Sequence, residues 1–208
     1  MHKEILNQNQ IDLLPLISSF KREYYLVGGT AIALYLGHRR SIDFDLFKYS
    51  TINHIRNLEK IKNFRFSYNI KRRVSEQMNI DIHGVKLTFF NYPYHIEHTQ
   101  KLDNIISMPS LLTLSAMKAF ALGRRAKWKD YVDLYFIIKN FYTIPEISGE
   151  ANKIYGTLFS EKLFRSQLTY FEDINYSEEI EYIIPNPPTS EEVKEELIGT
   201  ATDIFDRK

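Results

Sequence analysis

The sequence predicts an α+β fold, in which a small mixed sheet with helices is followed by an all-helical half. Residues 24–47 have the pattern of a strand, a glycine turn, a helix and a second strand. Residues 77–91 have strand patterns on both sides of His83-Gly84, as in a β-hairpin with a tight turn. After Pro109 the apolar residues recur at helical spacing instead. We therefore expect an α+β domain first and a helical domain after it.

The first half, residues 1–108, is predicted to contain both helices and strands. Pro15 lies inside its first helical stripe, and Thr51 is suited to cap its third helix. Pro93 breaks the pattern, so a loop or short elements are expected up to residue 108. The predicted elements are helix 10–22, strand 24–27, helix 30–36, strand 42–47, helix 51–62, strand 64–70, strand 77–82 and strand 85–91.

The second half, residues 109–208, is predicted to be helical. Pro109 is suited to the first position of a helix, where no N–H is needed, and Thr189 is suited to the N-cap of the last helix. An acidic, proline-containing stretch at 175–188 is expected to cross the surface. The predicted helices are 109–122, 129–141, 145–156, 160–171 and 189–206.

The composition narrows the class of protein. The 208 residues suffice for one large or two small domains, and 14 Phe and 14 Tyr provide material for a core. With 27 basic and 26 acidic residues, any nucleic-acid surface has to be a local patch. The absence of Cys excludes disulfides and thiolate metal sites. No signal peptide or membrane-spanning apolar run is found, so we expect a soluble cytoplasmic protein.

Two carboxylates one residue apart lie on the strand predicted at 42–47. Side chains at i and i+2 of a strand point to the same face, roughly 6.6 Å apart. Asp43 and Asp45 can therefore hold one or two divalent cations, while Phe44 and Leu46 point into the core. The alternative is a solvated strand face, which is where alternating Asp residues are usually found.

A Gly-Gly turn precedes the first predicted helix of this region. Gly28 and Gly29 let the backbone approach a ligand, and the helix beginning at Thr30 directs its first N–H groups toward it. Such turns are common between strands and helices, so the turn alone is a weak signal. Combined with the adjacent carboxylates, it indicates a site for the phosphates and metal of a nucleoside triphosphate (NTP).

A group of charged residues in the second half is a further candidate site. Lys118 and Arg125 would lie about 10 Å apart along a continuous helix, where they could neutralise displaced triphosphate charge. Asp130 and Asp133 are helical neighbours, with Cβ atoms about 5–6 Å apart. The alternative is a solvated basic face in which the Asp pair binds the adjacent cations. Trp128 can stack a base or serve as a packing anchor.

These motifs together resemble the signature of the AbiEii/AbiGii-type nucleotidyltransferases. The resemblance covers roughly residues 24–140. It is carried by Gly28-Gly29-Thr30-Ala31, by Gly37-His38-Arg39-x-Ser41-x-Asp43-x-Asp45-Leu46-Phe47, by Lys118-x-x-Ala121-Leu122-x-x-Arg125 and by Lys129-Asp130-x-x-Asp133-Leu134-Tyr135. Members of this family are toxins of type IV toxin–antitoxin and phage-abortive-infection systems. The resemblance implies their DNA polymerase beta-like fold, with the helical domain contributing to the active-site cleft.

The resemblance also implies site residues. The expected catalytic residues are Asp43, Asp45, Lys118 and Asp130, and the first two are the expected ligands of Mg²⁺ or Mn²⁺. The expected NTP-binding residues are Gly28, Gly29, Thr30, Arg39, Ser41 and Arg125. Arg39 could instead pair with Asp43, Ser41 could merely cap the loop, and His38 alone is more often structural. Asp133 would fix the helix or Arg125.

One departure from the wider superfamily concerns a third carboxylate. Polymerase beta-like transferases usually carry it on a neighbouring strand, where it helps to hold a metal and activates the attacking hydroxyl. The strand at 85–91 offers Thr88 instead. Asp81 on the preceding strand could point into the site and is an additional candidate, although it matches the pattern poorly. Asp130 could serve as the base in its place.

The function expected from the resemblance is transfer of a nucleoside monophosphate (NMP) from NTP to the 3′ end of tRNA. This would block aminoacylation and growth, and the protein would have a cognate antitoxin as partner. Two alternatives stay open: a transferase that modifies a protein or a small molecule, and a degenerate module that binds nucleotide or a partner without catalysis. No helix-turn-helix or zinc pattern indicates sequence-specific DNA binding.

Overall fold

The structure is a computed structural model that describes residues 1–203. The chain forms two compact units, Met1–Ser110 and a second that begins at Leu111. Within residues 1–203, no helix is both long enough and apolar enough to cross a bilayer.

The first unit is built on a mixed five-stranded sheet. The strand order is β1-β2-β5-β4-β3, in which β2 and β5 are parallel and the other neighbours are antiparallel. A separate two-stranded sheet pairs β6 with β7. In chain order the elements are a 3-10 helix at Lys3–Ile5, α1 (Gln8–Ser19), β1 (Tyr25–Val27), α2 (Gly28–Leu36), β2 (Phe44–Lys48), α3 (His54–Asn63), β3 (Asn69–Val74), β4 (Gln77–Ile82), β5 (Val85–Asn91), β6 (Gln100–Leu102) and β7 (Ile106–Met108).

The two faces of the large sheet differ because its central strands alternate in burial. On β2, Phe44 and Leu46 are fully buried, whereas Asp45 and Phe47 are half-buried. The same alternation is found on β4, where Ile80 lies on the core face, and on β5 the core face continues with Leu87 and Phe89, although Thr88 between them is also buried. We call the face that carries Asp45 and Phe47 the acidic face. It holds most of the polar side chains of the sheet interior.

The second unit is helical. Helix α4 is buried around most of its circumference and packs against α5, α6 and α7, as expected for a helix that is apolar on nearly all sides. Lys118 is one of the few polar residues in it. The elements are α4 (Leu111–Leu122), α5 (Trp128–Asn140), α6 (Ile144–Tyr155), a 3-10 helix at Gly156–Leu158, α7 (Glu161–Leu168) and α8 (Ser190–Thr202).

The α+β prediction is confirmed, and most predicted elements are found within a few residues of their expected bounds. The hairpin turn at His83-Gly84 is confirmed, with φ of 55° and 79°. Thr189 caps α8 through a capping box with Glu192, as predicted for an N-cap. The predicted last helix extended to residue 206, and its final residues, 204–206, lie outside the described residues.

Several predicted boundaries were wrong. The strand expected at 64–70 is instead β3 at Asn69–Val74, because Phe64 caps α3 and Arg65 turns the chain with a φ of 59°. Asn53 rather than Thr51 caps α3, since its side chain accepts the N–H of Arg56.

Two further helix starts were also misplaced. Helix α4 begins at Leu111, two residues after Pro109, whose carbonyl accepts a hydrogen bond from the Tyr35 hydroxyl. Helix α2 begins directly at Gly28, so the glycines form its first turn rather than a separate loop.

Candidate active site

Asp45 lies directly over the glycine at the start of α2. Val27, the last residue of β1, is in register with Asp45 on β2, and the chain turns into α2 at Gly28 with a φ of 75°. A Cβ placed on Gly28 would come 2.1 Å from Asp45 Oδ2. Position 28 therefore excludes a side chain both by its backbone conformation and by its contact with the carboxylate.

The second glycine faces a cation and a hydroxyl. A Cβ on Gly29 would lie 3.0 Å from Arg39 Nη2 and 3.0 Å from Ser41 Oγ. Arg39 is 1% exposed, and its Nη1 donates to the carbonyl of Arg40 at 2.9 Å. The N-cap residue, Val27, makes no side-chain cap. The first turn of α2 thus combines main-chain N–H groups with a buried guanidinium, which is a suitable environment for an anion.

Thr30 fastens the loop between α2 and β2. Its hydroxyl lies 3.0 Å from Ser41 Oγ and also contacts the main-chain carbonyls of Ser41 and Asp43. Thr30 is 1% exposed, so in this conformation its hydroxyl positions the loop instead of facing a ligand. This contact holds Asp43 next to the first turn of α2.

Asp43 is paired with a lysine that the sequence reasoning missed. Lys86 Nζ lies 2.6 Å from Asp43 Oδ2, and the two side chains are 42% and 31% exposed. The parallel register of Phe44 with Leu87 places Lys86 beside Asp43. The sequence contains a signal for this position. Lys86 precedes the apolar Leu87 on the predicted strand 85–91, so the alternation places its side chain on the polar face of the sheet, where the third carboxylate was expected.

Asp43 and Asp45 could together hold a divalent cation. Mg²⁺ prefers oxygen ligands and is commonly held by one or two carboxylates together with substrate phosphates and water, so this donor set fits it. Within residues 1–203, no cluster of three or more His, Cys, Asp or Glu residues could form a metal site.

Neither of the two positions considered for a third carboxylate, Thr88 and Asp81, places one beside Asp45. Thr88 is the β5 residue in register with Asp45, and it is 6% exposed. Asp81 on β4 is in register with Lys86, which places it two strand spacings, about 10 Å, from β2. Asp81 therefore lies on the far side of Lys86 from Asp43.

In the second unit, Lys118 is enclosed by two carboxylates. Its Nζ lies 2.7 Å from Asp130 Oδ1 and 2.9 Å from Asp133 Oδ2. The side chains of Lys118, Asp130 and Asp133 are 5%, 3% and 0% exposed. Lys118 projects from α4 and both carboxylates from α5, so the group links two helices. Ionic groups this deeply buried need such pairing to offset their desolvation.

Arg125 pairs with Asp130 from the solvent-exposed side of this network. It follows the end of α4, its Nε donates to Asp130 Oδ2 at 2.9 Å, and its side chain is half exposed. Burial alone would raise the pKa of Asp130, but the charges of Lys118 and Arg125 outweigh it and hold that pKa below its ordinary value. Asp130 is consequently ionised at neutral pH.

The other cations of the basic run bind groups of the same unit. Arg124 stacks 3.5 Å from the centre of the Phe120 ring. Lys127 and Lys129 both pair with Glu178, the latter at 3.2 Å. The two ion pairs with Glu178 attach the start of α5 to the segment at 175–188.

Trp128 and His38 are packed in the interior. Trp128 is 7% exposed and lies against Tyr131 and Tyr176, with ring centres 6.1 Å and 5.3 Å away. This arrangement agrees with a packing anchor rather than an exposed stacking surface. His38 is 1% exposed.

The predicted site residues therefore form two groups, each within one unit. The first group is Gly28, Gly29, Thr30, Arg39, Ser41, Asp43 and Asp45, to which the structure adds Lys86. The second group is Lys118, Arg125, Asp130 and Asp133.

Solved structures share this fold at low sequence identity. JHP933 from Helicobacter pylori superposes with a TM-score of 0.60 and 17% identity, covering 94% of this chain and 91% of the other. MenT4, a nucleotidyltransferase toxin from Mycobacterium tuberculosis H37Rv, gives a TM-score of 0.60 and 15% identity, covering 95% and 82%. These likenesses show the fold.

The sequence comparisons show the family. An uncharacterised protein of Aquifex aeolicus (strain VF5) is 31% identical over 159 residues, which are 73% of this chain and 75% of that protein. The family model described as nucleotidyl transferase AbiEii toxin, type IV TA system, matches residues 15–197 and so includes both groups of site residues. The chain therefore belongs to the AbiEii family of nucleotidyltransferase toxins of type IV toxin–antitoxin systems.

Proposed function

We propose that this nucleotidyltransferase uses Mg²⁺ or Mn²⁺ to transfer NMP from NTP to the 3′-terminal hydroxyl of a tRNA, and thereby inhibits growth. The observation that supports this most directly is the contact of Asp45 with Gly28 at the first turn of α2. It brings a carboxylate able to bind a cation next to main-chain N–H groups able to bind phosphate. This combination suits a metal-bound triphosphate.

The first unit would bind the nucleotide. Gly28 and Gly29 present main-chain N–H groups to the β- and γ-phosphates, and Arg39 and Ser41 add positive charge and a hydroxyl beside them. Asp43 and Asp45 would hold the divalent cation, which supplies charge neutralisation at the phosphates. Thr30 acts through the loop, because its hydroxyl holds Ser41 and Asp43 in place.

The reaction exchanges one phosphoester bond for another. The oxygen of the acceptor hydroxyl bonds to the α-phosphorus, the bond from that phosphorus to the β-bridging oxygen breaks, and pyrophosphate leaves. Following the family resemblance, Lys118 stabilises the departing pyrophosphate and Asp130 orients the acceptor hydroxyl. The low pKa of Asp130 makes it a weak base, which favours orientation over proton abstraction, so the proton passes to water. Arg125 would assist at the phosphates, and Asp133 would fix Lys118.

The remaining parts of the proposal concern context. A cognate antitoxin would bind the protein and suppress transfer, and both would act in the cytoplasm. Residues 1–108 would form the catalytic domain, and residues 109–208 a helical domain that supplies Lys118 and Asp130.

A second candidate is a module that binds nucleotide without transferring it. The observation that favours it is the ion pair of Lys86 with Asp43, together with Thr88 at the strand position beside Asp45. The ammonium of Lys86 competes with a divalent cation for the Asp43 carboxylate and would lower metal occupancy. This candidate predicts nucleotide binding without any labelled product.

The test is incubation with each α-³²P-labelled NTP, Mg²⁺ and total RNA. We expect label in a tRNA-sized band with wild-type protein and none with Asp45→Asn. Asp12→Asn, which removes an exposed carboxylate of α1, serves as the matched control and should retain transfer. Label on protein would favour the protein-modifying alternative, and absence of label from folded protein with every nucleotide would contradict the proposal.

A further inference from the structure

The acidic face of the sheet extends well beyond the two carboxylates. In the cross-strand row that begins at Asp45, the partners are Thr88 on β5, then Asn79 on β4, then Arg72 on β3. Directly opposed residues of neighbouring strands project to the same face. This row therefore runs from the acidic group to a cation at the edge of the sheet.

The next row on the same face is aromatic. Phe47 is in register with Phe90, and their ring centres are 5.0 Å apart. Tyr92 lies 5.1 Å from Phe47, and Tyr94 lies 5.2 Å from Tyr92. All four residues are half-buried, so this row is not fully enclosed by the rest of the protein. Aromatic surfaces of this kind stack nucleobases with little dependence on sequence.

The edge of the sheet is the most exposed part of the first unit's strands. Every residue of β3 is exposed, and among residues 1–203 no side chain pairs with Arg72 or Arg73. A bulge between Ile70 and Arg72 shifts the register. Arg72 is paired with half-buried Asn79 and so lies on the acidic face, whereas Arg73 is paired with buried Met78 and lies on the other.

We infer that this surface, comprising Arg72, Asn79, Phe47, Phe90 and Tyr92, binds the single-stranded 3′ end of an acceptor RNA. The inference deepens the proposed function and depends on it for the identity of the reaction. Phe47, the first ring of the aromatic row, lies two residues after Asp45 on β2. Arg72, the cation that would contact the phosphate backbone, lies on the edge strand β3. Stacking rings and a nearby cation together suit a partner that has exposed bases and a negatively charged backbone, which is single-stranded nucleic acid.

The distance between β2 and β3 determines how long an RNA must be to contact the whole surface. Three strand spacings separate β3 from β2, which is about 14 Å. At about 3.4 Å per stacked nucleotide, this corresponds to roughly four nucleotides. An acceptor of eight nucleotides should therefore reach Arg72 from Asp45, and a dinucleotide should not.

A purely structural role for the edge charges is the competing explanation. Charged side chains and bulges commonly protect an edge strand from pairing with other chains. That explanation predicts that Arg72 and Arg73 are equivalent and that replacing either affects association of the protein with itself. It predicts no effect on RNA.

The experiment is fluorescence anisotropy with a 5′-labelled eight-nucleotide RNA and a labelled dinucleotide, without NTP, at several salt concentrations. We expect Arg72→Gln to weaken binding of the longer RNA about 5-fold at 0.1 M salt and to lower the log–log salt slope by about 0.7. Phe90→Leu should weaken it as well, since it removes the stacking ring and keeps apolar volume. Arg73→Gln, the matched control, should leave it unchanged.

The possible outcomes distinguish RNA binding by this surface from nucleotide transfer. Equal weakening by Arg72→Gln and Arg73→Gln, or no weakening by either, would overturn the inference. The dinucleotide should show no loss with Arg72→Gln, and an equal loss would also overturn it. Because no transfer is measured, a protein that labels no acceptor would refute the proposed function while leaving the binding result to decide this inference.

Discussion

Replacement of Lys118 by Met should destabilise the second unit severely. The change leaves the buried carboxylates of Asp130 and Asp133 without the ammonium that lies 2.7 Å and 2.9 Å from them. Asp130 keeps Arg125, but Asp133, which is 0% exposed, loses its contact with the lysine. Removing one partner from a buried ionic group costs about 3–5 kcal/mol, because the remaining charge stays buried with less compensation.

The magnitude matters because proteins of this kind unfold with free energies of about 5–15 kcal/mol. Urea denaturation followed by tryptophan fluorescence is a suitable assay. Trp128 is the only Trp in the sequence, is 7% exposed and lies two residues before Asp130, so its emission reports on this unit. We expect Lys118→Met to lower the free energy of unfolding by about 3–5 kcal/mol.

Two further variants test the reasoning. Lys153→Met breaks an exposed pair with Glu150 and should cost less than about 1 kcal/mol. Lys118→Met combined with Asp133→Leu should recover part of the loss, because one of the two buried negative charges that faced the lysine is then removed. A loss below about 1 kcal/mol for Lys118→Met alone would refute the argument. If the argument holds, loss of transfer in a Lys118 variant indicates a catalytic role only when folding has been measured.

Three more predictions concern other groups. Gly28→Ala should abolish nucleotide binding in a folded protein, because its Cβ would meet Asp45 Oδ2 at 2.1 Å, whereas Gly149→Ala, which has open space around it, should bind NTP normally by calorimetry. Lys86→Gln should tighten Mn²⁺ binding about 5-fold, since a competing charge near Asp43 is worth about 1 kcal/mol in water; weaker binding would contradict this. The hydrogen bond from Lys127, aided by Lys129, lowers the pKa of Glu178 to about 2 from 4.5. The stabilising contribution of Glu178 is therefore complete above pH 4.5 and is lost as the pH falls through about 2. Glu178→Gln should therefore be less stable than wild type by up to about 1 kcal/mol at neutral pH, and the difference should vanish near pH 2 in chemical denaturation; a difference that persists at pH 2 would contradict this.

The elements around Asp45 could be predicted because local signals agreed there. Phe44 and Leu46 are fully buried, which confirms the predicted inward face of β2. The hairpin of β4 and β5 has the bounds that the pattern indicated, since its turn residues and its alternation both mark them. Where periodicity and turn chemistry agree, the sequence is sufficient.

Other features depended on tertiary contacts that no local pattern contains. Strand β3 is exposed along its whole length, so it lacks the alternation that reveals a strand. The pairing of Lys86 with Asp43 follows from the parallel register of β2 and β5, which joins residues 43 positions apart. The enclosure of Lys118 by Asp130 and Asp133 likewise requires α4 and α5 to pack together, and a lysine on a helix is ordinarily expected to be exposed.

The most direct test of the account is Mn²⁺ binding measured by electron paramagnetic resonance in the presence of a non-hydrolysable NTP analogue. We predict that wild-type protein and Asp12→Asn bind Mn²⁺ and the analogue together, and that Asp45→Asn, checked for folding, binds neither tightly. Unchanged binding in Asp45→Asn would show that the carboxylate over Gly28 does not hold the metal-bound triphosphate.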